Sequence, residues 1–188
     1  MKLGKVVLGS LMLASAPLAA MADDMSYSYV DAAYVETDID GAPSADGFGL
    51  RGSVGFAENW FVFANYSSQS VQGIDLDAYS VGVGGHYSMM PQLDLVGRVG
   101  YTKLEVDAGG GFSADDDGYL LDLGLRGLVT EGVELEGGLH YTDFDEGGDD
   151  TGFYFGGRFH FNETWALGAE YQSSDDADTI LAYVRASF

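Results

Sequence analysis

From about residue 25 onward the chain alternates apolar and polar residues with a period of two. That period marks strands whose two faces meet different surroundings. The alternation comes in repeats. Asp31-Ala32-Ala33-Tyr34, Phe63-Ala64-Asn65-Tyr66, Arg98-Val99-Gly100-Tyr101, Gly138-Leu139-His140-Tyr141 and Gly168-Ala169-Glu170-Tyr171 each end on a tyrosine, and these tyrosines lie 32, 35, 40 and 30 residues apart. A near-regular period of this size requires a repeating architecture. Each period holds two alternating segments, so the repeating unit is a hairpin. Asp46-Gly47-Phe48, Asp117-Gly118-Tyr119 and Thr151-Gly152-Phe153 open returning segments after an acidic turn, where glycine accepts positive φ. The pattern predicts strands over 25–37, 46–57, 59–70, 74–88, 92–106, 117–129, 132–143, 150–161, 164–173 and 177–188. It therefore predicts an all-β, up-and-down antiparallel barrel of ten strands. Eight is the alternative count, if the terse 70–74 connection or an end segment is misassigned.

The connections alternate in character. Ala57 to Asn59, Met89 to Gln92, Thr130 to Gly132 and Asn162 to Thr164 are short, whereas Thr37 to Ala45, Asp107 to Asp117, Asp143 to Asp150 and Asp175 to Asp178 are acidic and mostly longer. Short turns on one rim and longer loops on the other are the habit of membrane barrels. With the repeating tyrosines taken as outward, one face of every strand is almost purely apolar. The other carries all five arginines (Arg51, Arg98, Arg126, Arg158, Arg185), all three histidines (His86, His140, His160) and the acids Asp31, Asp122, Glu136 and Glu170. A solvated exterior is normally rich in Lys and Glu. Arginines beside carboxylates in a confined space fit a lumen, where the planar guanidinium makes several bonds at once. The apolar face ends in aromatic girdles, with Tyr34, Tyr66, Tyr101, Tyr141 and Tyr171 on one rim and Phe56, Tyr87, Phe161 and Phe188 on the other. Aromatic rings favour the two lipid–water interfaces. The expected arrangement is apolar face to lipid and charged face to lumen.

Met1 to Ala22 reads as a secretory signal peptide: Lys2 and Lys5, an apolar run from Val6 to Leu18, and Ala20-Met21-Ala22 before Asp23. The expected mature domain is residues 23–188, an exported barrel after cleavage. Cleavage removes two lysines and no acid, moving the formal charge from -22 to -24. Such a charge excludes nucleic acid as a partner, because phosphate binding needs clustered Lys and Arg. The 13% aromatic and 46% hydrophobic content excludes a disordered acidic chain. With no cysteine, disulfides, thiolate zinc sites and thiol nucleophiles are excluded as well.

The residues resemble the small outer-membrane β-barrel proteins of Gram-negative bacteria. Leu181-Ala182-Tyr183-Val184-Arg185-Ala186-Ser187-Phe188 is similar to their C-terminal assembly signal. The resemblance implies that the barrel assembly machinery reads Tyr183, Val184 and above all Phe188. Outer-membrane lipid and lipopolysaccharide are then the expected surroundings. Ser26 to Tyr34 and Ala45 to Ser53 also resemble a narrower family of small secreted barrels once proposed as quorum-sensing or plant-immunity activators.

Candidate chemistry is sparse. No histidine pair has a recognised metal spacing, and His140 with Thr142, Ser67, Ser173 or Asp143 is the one neighbourhood that suits a base and nucleophile. No enzyme, cofactor or metal is expected, although the acidic loops offer oxygen ligands for Ca²⁺ or Mg²⁺. The expected function is a non-enzymatic barrel with a structural or surface-interaction role, its interior filled by the arginine–carboxylate ladder. The alternative is a narrow pore, for which inward Gly82, Gly84, Gly100, Gly124, Gly138 and Gly156 leave room.

Overall fold

Apolar residues at every second position, many of them β-branched or aromatic, build ten antiparallel strands in a computed structural model that describes residues 25–39, 41–111, 113–175 and 177–188. The expected signal peptide lies outside the described residues. The strands are β1 Tyr29–Ile39, β2 Ala45–Ala57, β3 Trp60–Val71, β4 Ile74–Met90, β5 Leu93–Asp107, β6 Ser113–Thr130, β7 Val133–Phe144, β8 Gly148–His160, β9 Trp165–Ser173 and β10 Ala177–Ser187. Each pairs with its neighbours in sequence, and β1 pairs with β10 from Tyr29↔Ser187 to Ile39↔Ala177, which closes the barrel.

The strand count turned on the 70–74 connection. Val71 pairs with Ile74, and the two residues between them both have positive φ, Gln72 at 51° and Gly73 at 85°. That is a two-residue type I′ hairpin turn, whose twist matches the flanking strands. The connection is a true strand boundary, and ten strands result.

Two boundaries depart from the sequence expectation by four residues. β1 begins at Tyr29 rather than 25, because residues Ser26 to Ser28 turn into the barrel. β6 begins at Ser113 rather than 117, and β4, β5 and β6 run for 17, 15 and 18 residues. A tilted strand needs only about 9–11 residues to cross a bilayer. These hairpins therefore rise past the apolar belt on the loop side. Much of the expected loop acid, Asp115 to Asp117 and Asp149 to Asp150, lies within strands instead. Cross-strand pairing continues there because every backbone N–H that pairs with a neighbour no longer needs water.

The two faces separate as alternation requires. Leu121, Leu123 and Leu125 are about half exposed, while Gly124 and Arg126 between and beyond them are buried. Leu139, at 63% exposure, sits one residue from inward Gly138 and His140. The interior is less polar than expected, since it also holds Phe61, Phe63, Val96, Tyr154, Leu181 and Tyr183, all buried. These rings lie over the inward glycines. A Cβ at Gly84 would sit 2.1 Å from the Phe61 ring; at Gly82, 2.7 Å from Phe63; at Gly124, 2.4 Å from the Tyr154 hydroxyl. At Gly82, Gly84, Gly100, Gly124 and Gly138 the space left by the missing side chain is taken up by an aromatic ring.

Closure and ring-over-glycine packing have measurable consequences. Unboiled protein is expected to migrate differently from boiled protein in detergent gels, and identical migration would contradict the closed barrel. Gly84→Leu is expected to lower stability in urea by about 1–3 kcal/mol, the range for overpacking. Gly97→Leu, whose new Cβ has no atom closer than 3.9 Å, is expected to leave the urea midpoint near wild type.

Candidate functional site in the lumen

Cross-strand register decides which inward charges meet. Asp31 on β1 stands opposite Arg51 on β2 and Arg185 on β10. It is fully buried and accepts from Arg185 Nε at 2.7 Å, Arg185 Nη2 at 2.8 Å and Arg51 Nε at 3.2 Å. Arg51 reaches onward to Glu170 on β9 at 3.0 Å, and Gln172 Nε2 donates to the same carboxylate at 2.7 Å. Tyr183 and Tyr29 supply ring faces for the cations: Arg51 lies 4.6 Å from the Tyr183 centroid and Arg185 3.5 Å from that of Tyr29.

A second group closes the turn-side end. Glu134 on β7, buried, pairs with Arg126 on β6, with Arg158 Nη1 on β8 at 3.0 Å and with His160 Nε2 at 3.1 Å. Arg158 Nη2 also meets Glu136 at 2.6 Å. Across this end lies Tyr27, from the segment that precedes β1. Its ring stacks on His86 at 4.0 Å and Phe61 at 5.1 Å, and Arg126 lies 4.5 Å from its centroid. Its hydroxyl donates to Asp94 at 2.7 Å, and Arg126 Nη2 donates to the Ser26 carbonyl at 2.9 Å. Ser53 Oγ holds the Tyr27 carbonyl at 2.7 Å. Tyr27, Arg126, Glu134 and Phe61 together form a stopper.

The third group is looser. Arg98 on β5 stands opposite Asp122 on β6, which stands opposite His140 on β7. The closest Arg98–Asp122 contact is 3.7 Å. This row faces a cavity of about 460 Å³ that reaches the loop-side rim at Ser174 and Ala177. Arg51, Arg185, Glu136 and Glu170 help to form its floor, so the loop-side lumen is a cup.

All nine residues of the expected ladder face the interior, but as three clusters separated by rings rather than as one line. Glu134, Asp94 and Tyr27 were not on that ladder. Glu134 shares the parity of Glu136, and Tyr27, inside the predicted strand 25–37, shares that of Asp31, so parity was the available signal for both. Of the proposed base and nucleophile set, only Thr142 lines the cavity with His140. Ser67 lies on β3, four strands round the wall, and Asp143 accepts from Tyr119 on the outer face. Ser173 also has outward parity, opposite Asp178. Ser67, Asp143 and Ser173 therefore do not join His140, and Thr142 is the one of the set that shares its cavity. Among the described residues no cluster of His, Asp and Glu is arranged to hold a metal ion.

The expected girdle residues lie on the outer face near the two rims. Tyr34 and Tyr101 are half exposed, while Phe56, Tyr87 and Phe188 are more so. Loop-side tyrosines donate to acids just above them, Tyr66 to Asp77 at 3.0 Å and Tyr171 to Asp178 at 2.8 Å. Of the expected assembly-signal residues, Val184 and Phe188 have outward parity, whereas Tyr183 points into the lumen beneath Arg51. Alternation forces this, since Tyr183 is adjacent to Val184.

A closed antiparallel barrel with an apolar exterior and an ion-paired interior is a transmembrane β-barrel of the outer-membrane type. The chain belongs to the family described as the outer membrane protein beta-barrel domain, whose model matches residues 6–184. Among solved structures it is similar to the NanC porin, with 11% identity, 85% of this chain and 100% of that chain covered, and a TM-score of 0.55. It is also similar to the KdgM porin, with 12% identity, 84% and 99% coverage and a TM-score of 0.50. The attachment invasion locus protein Ail of Yersinia pestis is 16% identical over 85% of this chain and 93% of its own, at a TM-score of 0.38. At these identities the likeness is one of fold. No curated protein matches the sequence.

Asp31→Ala would strand Arg185 and half of the Arg51 pairing in a buried site. Breaking a buried ion pair costs about 3–5 kcal/mol, so urea unfolding of refolded protein is expected to shift by that order. Adding Arg185→Leu is expected to recover part of the loss, because the unpaired charge goes with it.

Proposed function

We propose that this protein is a non-enzymatic outer-membrane barrel with a structural and surface-interaction role. It presents a loop-side cup to the exterior and keeps its turn-side end shut. One observation carries this reading: the stopper of Tyr27, Arg126, Glu134 and Phe61 fills the turn-side lumen with groups that satisfy one another. Buried charges of this kind are costly to separate. The acidic loop-side extensions and the tyrosine collar below them suit a boundary with lipopolysaccharide and lipid. The 72% exposure of Phe188 on the outer face supports its recognition by the barrel assembly machinery. Export follows from the signal peptide read in the sequence. The reading needs no cofactor, and it does not extend to a signalling role of the kind once proposed for the narrower family.

The second reading is a narrow pore, favoured by the porin names of the NanC and KdgM structures. The stopper speaks against it, as do the rings over the luminal glycines. Barrels near eight strands leave room only for side chains, and open aqueous channels come with sixteen or more.

Single-channel recording of refolded protein in planar bilayers separates the two. Wild type is expected to show no steady conductance. Combined Tyr27→Ala, Arg126→Ala and Arg158→Ala are expected to produce one, since they remove the turn-side fill. A steady wild-type conductance would decide for the pore.

A further inference from the structure

The five luminal arginines differ in how closely their carboxylate partners approach. Arg51 holds a Glu170 oxygen at 3.0 Å, Arg158 holds Glu136 at 2.6 Å, Arg185 holds Asp31 at 2.7 Å, and Arg126 is clamped to Glu134. For Arg98, the one ion pair among the described residues is Asp122 at 3.7 Å, beyond direct hydrogen-bond distance. Arg98 and Asp122 are also the most open of these charges, with side chains 21% and 20% exposed against 16% or less for the other four arginines. Both line the cup. An underused guanidinium beside an underused carboxylate presents one face that wants an anion and one that wants a cation.

The wall beyond this pair is different in kind. Leu104, Leu120 and Phe144 line the same cavity on the loop side, with Thr142 and Gln172 as neutral hydrogen-bonding groups and Asp150 as one further carboxylate opposite Thr142. The cup therefore has a dipolar floor and an apolar flank. Its approach is strongly acidic: Asp115, Asp116, Asp117, Asp145 and Glu146 crowd the loop-side rim of a chain with formal charge -22. That field repels a net anion. A simple cation gains nothing from Arg98. A neutral zwitterion meets neither obstacle.

We propose that the loop-side cup is a binding site for a small zwitterion with an apolar side chain, of the α-amino acid type. Its carboxylate engages Arg98, its ammonium engages Asp122, and its side chain packs on Leu104, Leu120 and Phe144. No covalent step is involved. The planar fork of Arg98 matches a carboxylate through two parallel bonds, which a lysine ammonium does not reproduce. The site is independent of whether the stopper conducts, because it lies on the loop side of it.

The test is titration of the refolded mature chain in detergent micelles with L-phenylalanine, followed by amide NMR shifts and calorimetry. The half-molecules 3-phenylpropionate and phenethylamine serve as comparators. L-Phenylalanine is expected to saturate, with the largest shifts around Leu120 and Phe144. Each half-molecule is expected to bind at least about tenfold more weakly, the scale of one lost charge-assisted bond. Arg98→Lys and Asp122→Asn are expected to weaken binding by a similar factor while heat-dependent gel migration stays as in wild type. Absence of saturable binding overturns the proposal. So does equal binding of either half-molecule, or unchanged affinity in both variants. Should a variant fail to refold, the half-molecule comparison on wild type decides by itself.

Discussion

The need to pair every backbone N–H and C=O governs this molecule. In hydrocarbon an unpaired group costs several kcal/mol, so a sheet can cross a bilayer only when it has no edge. The β1–β10 pairing removes the edge, with eleven residue pairs from Tyr29↔Ser187 to Ile39↔Ala177. Once the sheet is closed, every strand has an inside and an outside, and side chains must alternate between them. The two chain ends are joined further by the Phe188 N–H, which donates to the Ser28 carbonyl at 3.1 Å. That bond ties the last residue to the segment carrying Tyr27. Closure of the wall and stoppering of the turn-side end thus share the same few residues.

Closure also creates the difficulty that the interior solves. Ten strands enclose a volume from which much water is excluded, and the alternation places five arginines there. The solution has two parts. Arginines and carboxylates meet through direct cross-strand register, as Asp31 does with Arg51 and Arg185, or Glu134 with Arg158. Aromatic rings fill what the charges leave, several of them resting on glycine, as Phe61 does on Gly84 and Tyr183 on Gly168. Ring and charge are coupled as well, because Tyr27, Tyr29 and Tyr183 offer their faces to Arg126, Arg185 and Arg51. The filled region ends partway up the barrel. Beyond it the cup opens, lined by Arg98, Asp122 and Asp150 together with Leu104, Leu120 and Phe144.

The exterior carries its own gradation. Leucine, valine and phenylalanine occupy the middle of the outer face, aromatic rings its rims, and on the loop side acids stand immediately above the tyrosines that donate to them. A tyrosine whose ring lies in hydrocarbon and whose hydroxyl is held by an aspartate above it fixes the height of the boundary. The strand extensions that bear these acids continue past it, supported by backbone pairing, by the Lys103 pairs with Glu105 at 2.6 Å and Asp115 at 3.3 Å, and by Asp116, which accepts from the Gly147 amide at 2.7 Å.

Alternation and repetition alone determined the architecture. Parity depends only on sequence position, so the ten strands, the apolar exterior and the inward set of Arg51, Arg98, Arg126, Arg158, Arg185, Asp31, Asp122, Glu136 and Glu170 were all legible from the chain. What parity cannot state is which inward residues share a height, because that depends on stagger around the closed wall. Tertiary structure therefore decided that the charges form three clusters, that Glu134 is the hub of one, and that Arg98 is left underused. It also decided the fate of the glycines. In the sequence an inward glycine is simply missing bulk; in the barrel a ring from another strand covers several of them, as Tyr154 on β8 covers Gly124 on β6. Tyr27 had inward parity in the predicted strand 25–37, but only the closed barrel shows that it precedes β1 and lies across the turn-side mouth against His86 and Phe61.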